Sequence, residues 1–184
     1  TNMGVTRVFA FATSAIRDSA NGAEFVETAK SSVGIDIKVI SGEEEAELIH
    51  QGVSHTIPEN FGRFVIMDIG GGSVEFIIGT KTELIWLQSL KLGVSRLKGQ
   101  IQPNDPISRD QIEVLQHKIL EQTAEVIAKL KEFDVKTIIG SSGSFDSIQK
   151  MLEAKRGHDE NSKENFSELP LTEVQKLHTD LIPS

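Results

Sequence analysis

The sequence predicts an α/β protein built on a mixed sheet, and three patterns support this fold class. A short apolar strand, a helical stretch and an alternating strand follow one another between residues 8 and 39, as in a parallel crossover unit. Two apolar runs flank a glycine triplet at residues 70–72, as in an antiparallel hairpin. A strand at residues 135–139 leads into the turn GSSGSF and another helix. Parallel and antiparallel pairs in one chain predict a mixed sheet.

The first elements form the crossover unit. Residues 8–12 are apolar and short enough for a strand, and the helical stretch that follows is broken at Asn21-Gly22. Gly34 stands where a helix end favours a residue that tolerates left-handed backbone, and an alternating strand follows at residues 35–39. We therefore expect a strand, a helix and a second strand in that order.

Two capping boxes mark the starts of helices. Ser41 precedes Glu44 by three residues, which predicts a helix that begins at residue 42 or 43. Ser108 and Gln111 repeat this pattern after a proline-bounded loop. Apolar residues then recur with helical spacing as far as Leu130, so we expect one long amphipathic helix there.

The remaining segments alternate between clear patterns and a polar stretch. Residues 64–69 and 74–78 predict two antiparallel strands, and residues 84–92 predict a third. Residues 155–168 are polar and nearly free of apolar side chains, which predicts a loop or mobile segment. Apolar residues return with helical spacing from Leu171 to Leu181, so a last helix is expected.

Composition excludes several classes of protein. The net charge of −8 over 184 residues argues against a surface that grips nucleic acid, because phosphate-backbone binding needs clustered Lys and Arg. No segment is apolar enough to span a membrane, and the absence of cysteine excludes disulfides and thiolate zinc sites. The five histidines lack close ligand spacing, which leaves oxygen ligands for any metal. We expect a cytoplasmic globular protein that binds neither nucleic acid nor membrane.

The glycine triplet follows an acid near the end of an apolar strand. Glycine costs about 0.5–1 kcal/mol relative to alanine in regular structure, so three in succession indicate that the backbone must stay bare. A glycine turn exposes backbone amides, which bind anions such as phosphate. Asp68 and Glu75 lie across the turn, and their carboxylates suit a hard cation such as Mg²⁺. Alternatively, the glycines only permit positive φ in a tight hairpin, and Asp68 caps local amides.

Glu45 is a carboxylate at the rim of an apolar helix face. The predicted helix buries a stripe of Leu48, Ile49 and Val53. Glu45 lies three residues before Leu48 and four before Ile49, so it is on the same face of the helix. Partial burial tends to raise the pKa of a carboxylate, and a raised pKa suits a general base near neutral pH. The alternative is a first-turn acid that only accepts hydrogen bonds from free backbone amides.

Five stretches of the sequence together resemble the family of bacterial exopolyphosphatases and guanosine pentaphosphate phosphohydrolases. In chain order they are FAFATSAIRDSANGAEF, GIDIKVISGEEEAELIHQGV, VIMDIGGGSVEFIIG, SLKLGVSRL and GSSGSFDSI. The resemblance implies two ribonuclease H-like lobes of the actin-like ATPase type, which clamp phosphates between glycine hairpins. It also implies Mg²⁺-assisted hydrolysis of terminal phosphoanhydride bonds in polyphosphate or guanosine pentaphosphate.

The resemblance assigns roles to individual residues. Glu45, directly before Ala46 in the family's G-x-E-E-A stretch, corresponds to the catalytic glutamate. Asp68 and Glu75 correspond to the acids that hold the metal. The positions that the resemblance places at the substrate phosphates are Gly70, Gly71, Gly72, Ser73, Arg17 and Asn21.

The chain departs from the family at its start. The family's first acidic hairpin has no counterpart here, which predicts that residues 1–57 are the end of a first lobe and residues 58–184 an incomplete second lobe. We expect the 184 residues alone to hydrolyse little, because a site between lobes loses positioning when one wall is missing. The full-length protein could form a homodimer.

Two other functions fit the same pattern. A kinase of the same superfamily would need an acceptor pocket and a productive nucleotide site. A sensor module would bind phosphate compounds without turning them over. Release of inorganic phosphate without an acceptor distinguishes a hydrolase from both alternatives.

Overall fold

The computed structural model describes residues 4–156 and 166–182 as two β-sheets with surrounding helices. In chain order the elements are β1 (Ala10–Ala12), α1 (Ser14–Arg17), α2 (Gly22–Val33), β2 (Ile37–Val39), α3 (Gly42–Ser54), β3 (Phe64–Ile69), β4 (Val74–Gly79), β5 (Leu84–Leu90), α4 (Val94–Ile101), α5 (Arg109–Gln122), α6 (Ala124–Glu132), β6 (Ile138–Ser141), α7 (Gly143–Arg156) and α8 (Leu171–Leu181). One sheet pairs β1 with β2, and the other has the strand order β5-β4-β3-β6. The predicted α/β class with a mixed sheet is confirmed.

The first four elements form the predicted crossover unit. Strands β1 and β2 pair in parallel, with the register Ala10 to Ile37. Helices α1 and α2 are separated at the predicted break, and α2 is followed by its C-cap Gly34, whose φ of 69° is in the left-handed region. Strand β1 starts two residues later than predicted, and Val8 is 63% exposed.

The four-stranded sheet carries a core on each face because side chains alternate along a strand. Strand β3 pairs antiparallel with β4 and parallel with β6, and β4 pairs antiparallel with β5. Helix α3 packs against β4 and β5, and this side buries Ala46, Ile57, Phe64, Ile66 and Ile77. The opposite side, towards α4, α5 and α6, buries Val65, Val74, Phe76, Ile78, Leu92 and Val126. The division predicted between residues 57 and 58 stays a prediction.

Both predicted capping boxes are present, at Ser41 and Ser108. The long helix predicted after Ser108 is instead two helices, which meet at Thr123. The Thr123 hydroxyl donates to the carbonyl of Ile119 at 2.7 Å, a back-bond that competes with regular helix geometry. Helix α4 was not predicted because Gly93 stands at its N-cap and no side chain caps it.

The two C-terminal helices, α7 and α8, contact each other. The predicted last helix is confirmed as α8, and Leu177 on it is buried, as is Leu152 on α7. The loop predicted for residues 155–168 was wrong at its start, because α7 continues through Arg156. Residues 157–165 of that segment lie outside the described residues. In the described chain no helix has both the length and the apolar character that crossing a bilayer requires.

Candidate active site

A row of polar side chains crosses the four-stranded sheet near the end of β3. The strand register pairs Asp68 with both Glu75 and Ser141, and it pairs Glu75 with Ser89. Directly paired residues point to the same face of a sheet. Ile66, two residues before Asp68, packs on the α3 side, so the whole row faces α3. The carboxylates of Asp68 and Glu75 are therefore neighbours on one face.

Glu75 is the buried member of this row, with only 1% of the residue exposed. Burial raises its pKa above the ordinary value, while hydrogen bonds from Ser73 and Ser89 partly oppose the rise. The Ser89 hydroxyl donates to Oε1 of Glu75 at 2.8 Å. The negative charges of Glu45 and Asp68 also raise the pKa of Glu75. The three carboxylates therefore lie within electrostatic range of one another.

The raised pKa of Glu75 predicts how the stability of the folded protein depends on pH. In the folded protein Glu75 holds its proton to higher pH than in the unfolded chain, so its contribution is favourable at low pH and is lost as pH rises through the folded pKa. Glu75→Gln cannot titrate, so we expect its melting temperature to rise relative to wild type as pH increases above the ordinary glutamate pKa of about 4.3. Thermal melts with a chelator present measure this difference. A difference that stays constant with pH would contradict the prediction.

The glycine hairpin between β3 and β4 turns its carbonyls towards helix α4. The carbonyl of Gly70 accepts from the amide of Val94 at 3.0 Å, and that of Gly71 accepts from Ser95 at 2.9 Å. Among the described residues, the amides of Gly71 and Gly72 and that of Ser73, the last hairpin residue, donate to no protein acceptor. These consecutive amides remain available for an anion.

Gly72 is required by close contact, and no glycine of the triplet is required by its backbone dihedral angle. The described glycines with positive φ do not include any of the triplet. A Cβ on Gly72 would lie 2.2 Å from the hydroxyl of Ser14, and one on Gly71 would lie 3.4 Å from that of Ser95. The hypothesis that the triplet only permits positive φ was therefore wrong.

Glu45 lies in the first turn of α3 and is held by an arginine from α1. Nη1 of Arg17 lies 3.3 Å from Oε2 of Glu45 and donates to the carbonyl of Ile40 at 2.7 Å. Only 17% of the Glu45 side chain is exposed. The first turn rests on β5, since a Cβ on Gly42 would lie 2.6 Å from Cβ of Ser89. Glu45 thus stands above the row that contains Glu75.

The apolar stripe predicted for α3 was wrong in one member. Leu48 is 45% exposed, whereas the buried residues of α3 are Ala46, His50 and Ser54, with Ile49 partly buried. The face that packs on the sheet is rotated by about one position from the prediction. Glu45 precedes Ala46 and still borders this face.

The structure places the other predicted residues unequally. Asp68 is half-buried, and its carboxylate makes no hydrogen bond or ion pair with the described residues, so it does not cap local amides. The Ser73 side chain is buried and hydrogen-bonds to Glu75. Asn21 is exposed at the start of α2, and its side chain does not cap the helix.

The serine-rich turn after β6 adjoins the hairpin. Strand β6 ends at Ser141, which pairs with Asp68. The hydroxyls of Ser142 and Ser144 both donate to the carbonyl of Ile69, at 3.0 Å and 3.3 Å. This turn therefore fixes the strand end from which the hairpin leaves.

Sequence reasoning missed three side chains at this site. Ser14 is buried against Gly72, and Arg96 donates through Nε to the carbonyl of Gly72 at 2.8 Å. Asp18 accepts from Nη2 of Arg96 at 2.5 Å. Asp18 and Arg96 are 78 positions apart, so no local pattern could have paired them. Ser14 and Asp18 flank Arg17 within the motif that carried the resemblance, which was the available signal.

The oxygen donors at this site fit a magnesium ion whose remaining coordination positions are filled by water and a substrate. Within residues 4–156 and 166–182, no three His, Asp or Glu side chains form a cluster able to hold a metal. Asp68 and Glu75 supply two neighbouring carboxylates. Mg²⁺ usually takes one or two protein carboxylates and completes its octahedron with water and substrate phosphate.

Several known proteins are similar to this chain in sequence and in structure. A guanosine-5'-triphosphate,3'-diphosphate pyrophosphatase from Aliivibrio fischeri strain MJ11 is 36% identical over 149 residues, which are 80% of this chain and 29% of that protein. An exopolyphosphatase from Cytophaga hutchinsonii has a solved structure that matches with a TM-score of 0.90 at 34% identity, over 97% of this chain and 58% of the other. An Aquifex aeolicus member of the Ppx/GppA family matches with a TM-score of 0.72 at 25% identity, over 97% of this chain and 56% of the other.

These matches also define how much of the relatives the chain represents. It spans 29% of the length of the Aliivibrio protein and 58% of the Cytophaga structure. The fold is the ribonuclease H-like, actin-like ATPase fold that the resemblance implied. The model of the Ppx/GppA phosphatase family matches residues 1–182. The chain therefore belongs to the Ppx/GppA phosphatase family.

Proposed function

We propose that the full-length protein hydrolyses the terminal phosphoanhydride bond of inorganic polyphosphate or guanosine pentaphosphate. The observation that carries this proposal is the set of free amides in the glycine hairpin, beside three mutually interacting carboxylates. Amides in such a turn bind phosphate oxygens, and carboxylates can bind a cation and accept a proton. Phosphoryl transfer depends mainly on positioning and charge stabilisation, which this arrangement can supply.

The hairpin binds the terminal phosphate. The amides of Gly71, Gly72 and Ser73 donate to its oxygens, and the α4 N-terminus keeps the hairpin carbonyls turned away from it. A fixed array of donors can stabilise the charge that develops on the phosphoryl oxygens, because it needs no rearrangement during the reaction.

Glu45 acts as the general base. Its carboxylate accepts a proton from the attacking water, whose oxygen forms the new bond to the terminal phosphorus while the bond to the bridging oxygen breaks. Arg17 orients the carboxylate through the 3.3 Å contact. The bridging oxygen leaves with the shortened substrate, and the terminal group is released as inorganic phosphate.

Asp68 and Glu75 would hold the Mg²⁺ ion. A bound Mg²⁺ neutralises phosphate charge and orients the substrate. Burial without a cation favours the protonated form of Glu75 and raises its pKa, so a nearby cation would favour the ionised form. Ser73 and Ser89 hold the Glu75 carboxylate in place through their hydrogen bonds.

The two substrate classes come from the relatives. The Aliivibrio relative is named for guanosine-5'-triphosphate,3'-diphosphate and the Cytophaga relative for polyphosphate, and both end in phosphoanhydrides. A cytoplasmic location fits the absence of cysteine. Both substrate classes, the location and a homodimer of the full-length protein remain parts of the proposal.

Measuring inorganic phosphate tests the proposed function. We expect the full-length protein to release phosphate from polyphosphate or guanosine pentaphosphate when Mg²⁺ is present and no acceptor is added. Transfer of the terminal phosphoryl group to an added sugar or acid acceptor, in place of release as inorganic phosphate, would indicate a kinase. Binding of either compound without release would indicate a sensor module.

Asp68→Asn should weaken the binding of the Mg²⁺ on which activity depends. The amide keeps the shape of the side chain but loses the anionic oxygen that a hard cation needs, so the Mg²⁺ concentration for half-maximal activity should rise by about tenfold or more. Titration of activity against Mg²⁺ measures this. Asp36→Asn is the matched control, because the Asp36 side chain is 81% exposed and lies immediately before β2. Identical curves for Asp68→Asn and wild type would leave Asp68 with no role in metal binding.

A further inference from the structure

The guanidinium of Arg96 joins the glycine hairpin to helix α1. Its Nε donates to the carbonyl of Gly72 at 2.8 Å, and its Nη2 donates to Oδ2 of Asp18 at 2.5 Å. The backbone amide of Arg96 also donates to the carbonyl of Gly71 at 3.1 Å. Arg96 on α4 therefore donates hydrogen bonds to two hairpin carbonyls and to the carboxylate of Asp18.

Helix α1 carries the other half of this connection. Asp18 directly follows Arg17, and Arg17 contacts the carboxylate of Glu45. Ser14, one turn earlier, packs against Gly72. The short α1 segment thus contacts both the phosphate-binding hairpin, through Ser14, and the general base Glu45, through Arg17.

We propose that Arg96 and Asp18 are positioning residues, whose link fixes the glycine hairpin relative to Glu45 through α1. This inference rests on the function proposed above. The distance between a bound phosphate and the water activated by Glu45 then depends on the Arg96 link. A displacement of about 1 Å between reacting groups can cost about a hundredfold in rate.

The identity and burial of Arg96 support this role. The exposed fraction is 26% for the Arg96 side chain and 21% for Asp18, so the pair is shielded from water more than a surface pair. An arginine can donate from two nitrogens of one rigid plane, whereas a lysine offers a single point charge. Lys91 also approaches Asp18, at 3.4 Å, but is 70% exposed and has no described contact with the hairpin. Lys91 is therefore a matched control.

Steady-state kinetics of the full-length protein test the link. We expect Arg96→Ala to lower kcat for phosphate release by about tenfold to a hundredfold, with a smaller change in KM, because positioning in the transition state is lost. Arg96→Lys should recover part of this loss, since it keeps the charge beside Asp18 but loses the fixed bond to Gly72. Lys91→Ala should leave kcat and KM within about twofold of wild type.

Hydrogen exchange gives a readout that does not require activity. Arg96→Ala should speed exchange of the Gly70 amide, which donates to the carbonyl of Ser73 at 3.0 Å, and weaken pyrophosphate binding, while Lys91→Ala should change neither. If wild type releases no phosphate, the proposed function fails, and these two measurements still decide the link. Unchanged exchange and unchanged pyrophosphate affinity in Arg96→Ala would overturn the inference, as would a lower melting temperature with unaltered kcat and KM.

Discussion

Glu45→Gln should lower phosphate release from the full-length protein by about 10² to 10⁴-fold while substrate binding is largely retained. Glutamine preserves the volume and hydrogen-bonding capacity of the side chain but removes the basic oxygen, so a cavity cannot explain the loss. Glu45 is only 17% exposed and borders the row that contains Glu75, where an attacking water can be shielded from solvent. Single-turnover phosphate release measures the effect.

Glu47→Gln is the matched control for this prediction. Glu47 lies on the same helix, and its side chain is exposed, so its loss should change turnover by less than about twofold. If Glu45 were only a first-turn acid, Gln would lower stability slightly and leave turnover intact. A rate for Glu45→Gln within a fewfold of wild type, about 1 kcal/mol of barrier, would end its assignment as general base.

Gly93→Ala should displace the glycine hairpin and lower phosphate affinity and turnover by about a hundredfold. A Cβ on Gly93 would lie 2.4 Å from backbone atoms of Gly71 and Gly72, and backbone cannot rotate away as a flexible side chain can. The φ of Gly93 is −60°, which alanine adopts freely, so the whole effect is steric. Overpacking of this kind also costs about 1–3 kcal/mol of stability. Pyrophosphate binding and thermal melts measure the two effects.

Gly99→Ala on the same helix is the control for Gly93. No atom lies within 4 Å of a Cβ at Gly99, and the residue is inside α4. Alanine there should leave activity unchanged and stabilise the helix by about 0.5–1 kcal/mol. Similar behaviour of the two alanine variants would show that α4 does not press on the hairpin.

The elements with strong local signals were predictable from sequence. The two capping boxes and the alternating strands around the glycine triplet are each encoded within a few residues, and the structure has them at the predicted positions. The break at Thr123 was not predictable from apolar spacing, because the spacing continues through it while a hydroxyl back-bond interrupts the helix. Helix α4 lacks a capping side chain and forms against the hairpin, so its stability comes from tertiary contact.

In the candidate site, too, some features were predictable from the local sequence and others depend on the folded chain. The acids of β3 and β4 could be expected on one face because they flank a tight hairpin, and the register pairs them. The contacts of Arg17 with Glu45 and of Arg96 with Asp18 join residues 28 and 78 positions apart, and only the folded chain brings them together. Part of the rise in the pKa of Glu75 comes from the charge of Glu45, which lies 30 positions away and is brought close only by the folded chain.

Hydrolysis in water enriched in ¹⁸O tests the central claim most directly. The water that Glu45 deprotonates forms the new bond to the terminal phosphorus, and the bridging oxygen leaves with the shortened substrate. We therefore predict that phosphate released from polyphosphate or guanosine pentaphosphate by the full-length protein, with Mg²⁺ and without an acceptor, carries one oxygen atom from solvent. Released phosphate that contains no solvent oxygen, or no release from either substrate under these conditions, would contradict the account.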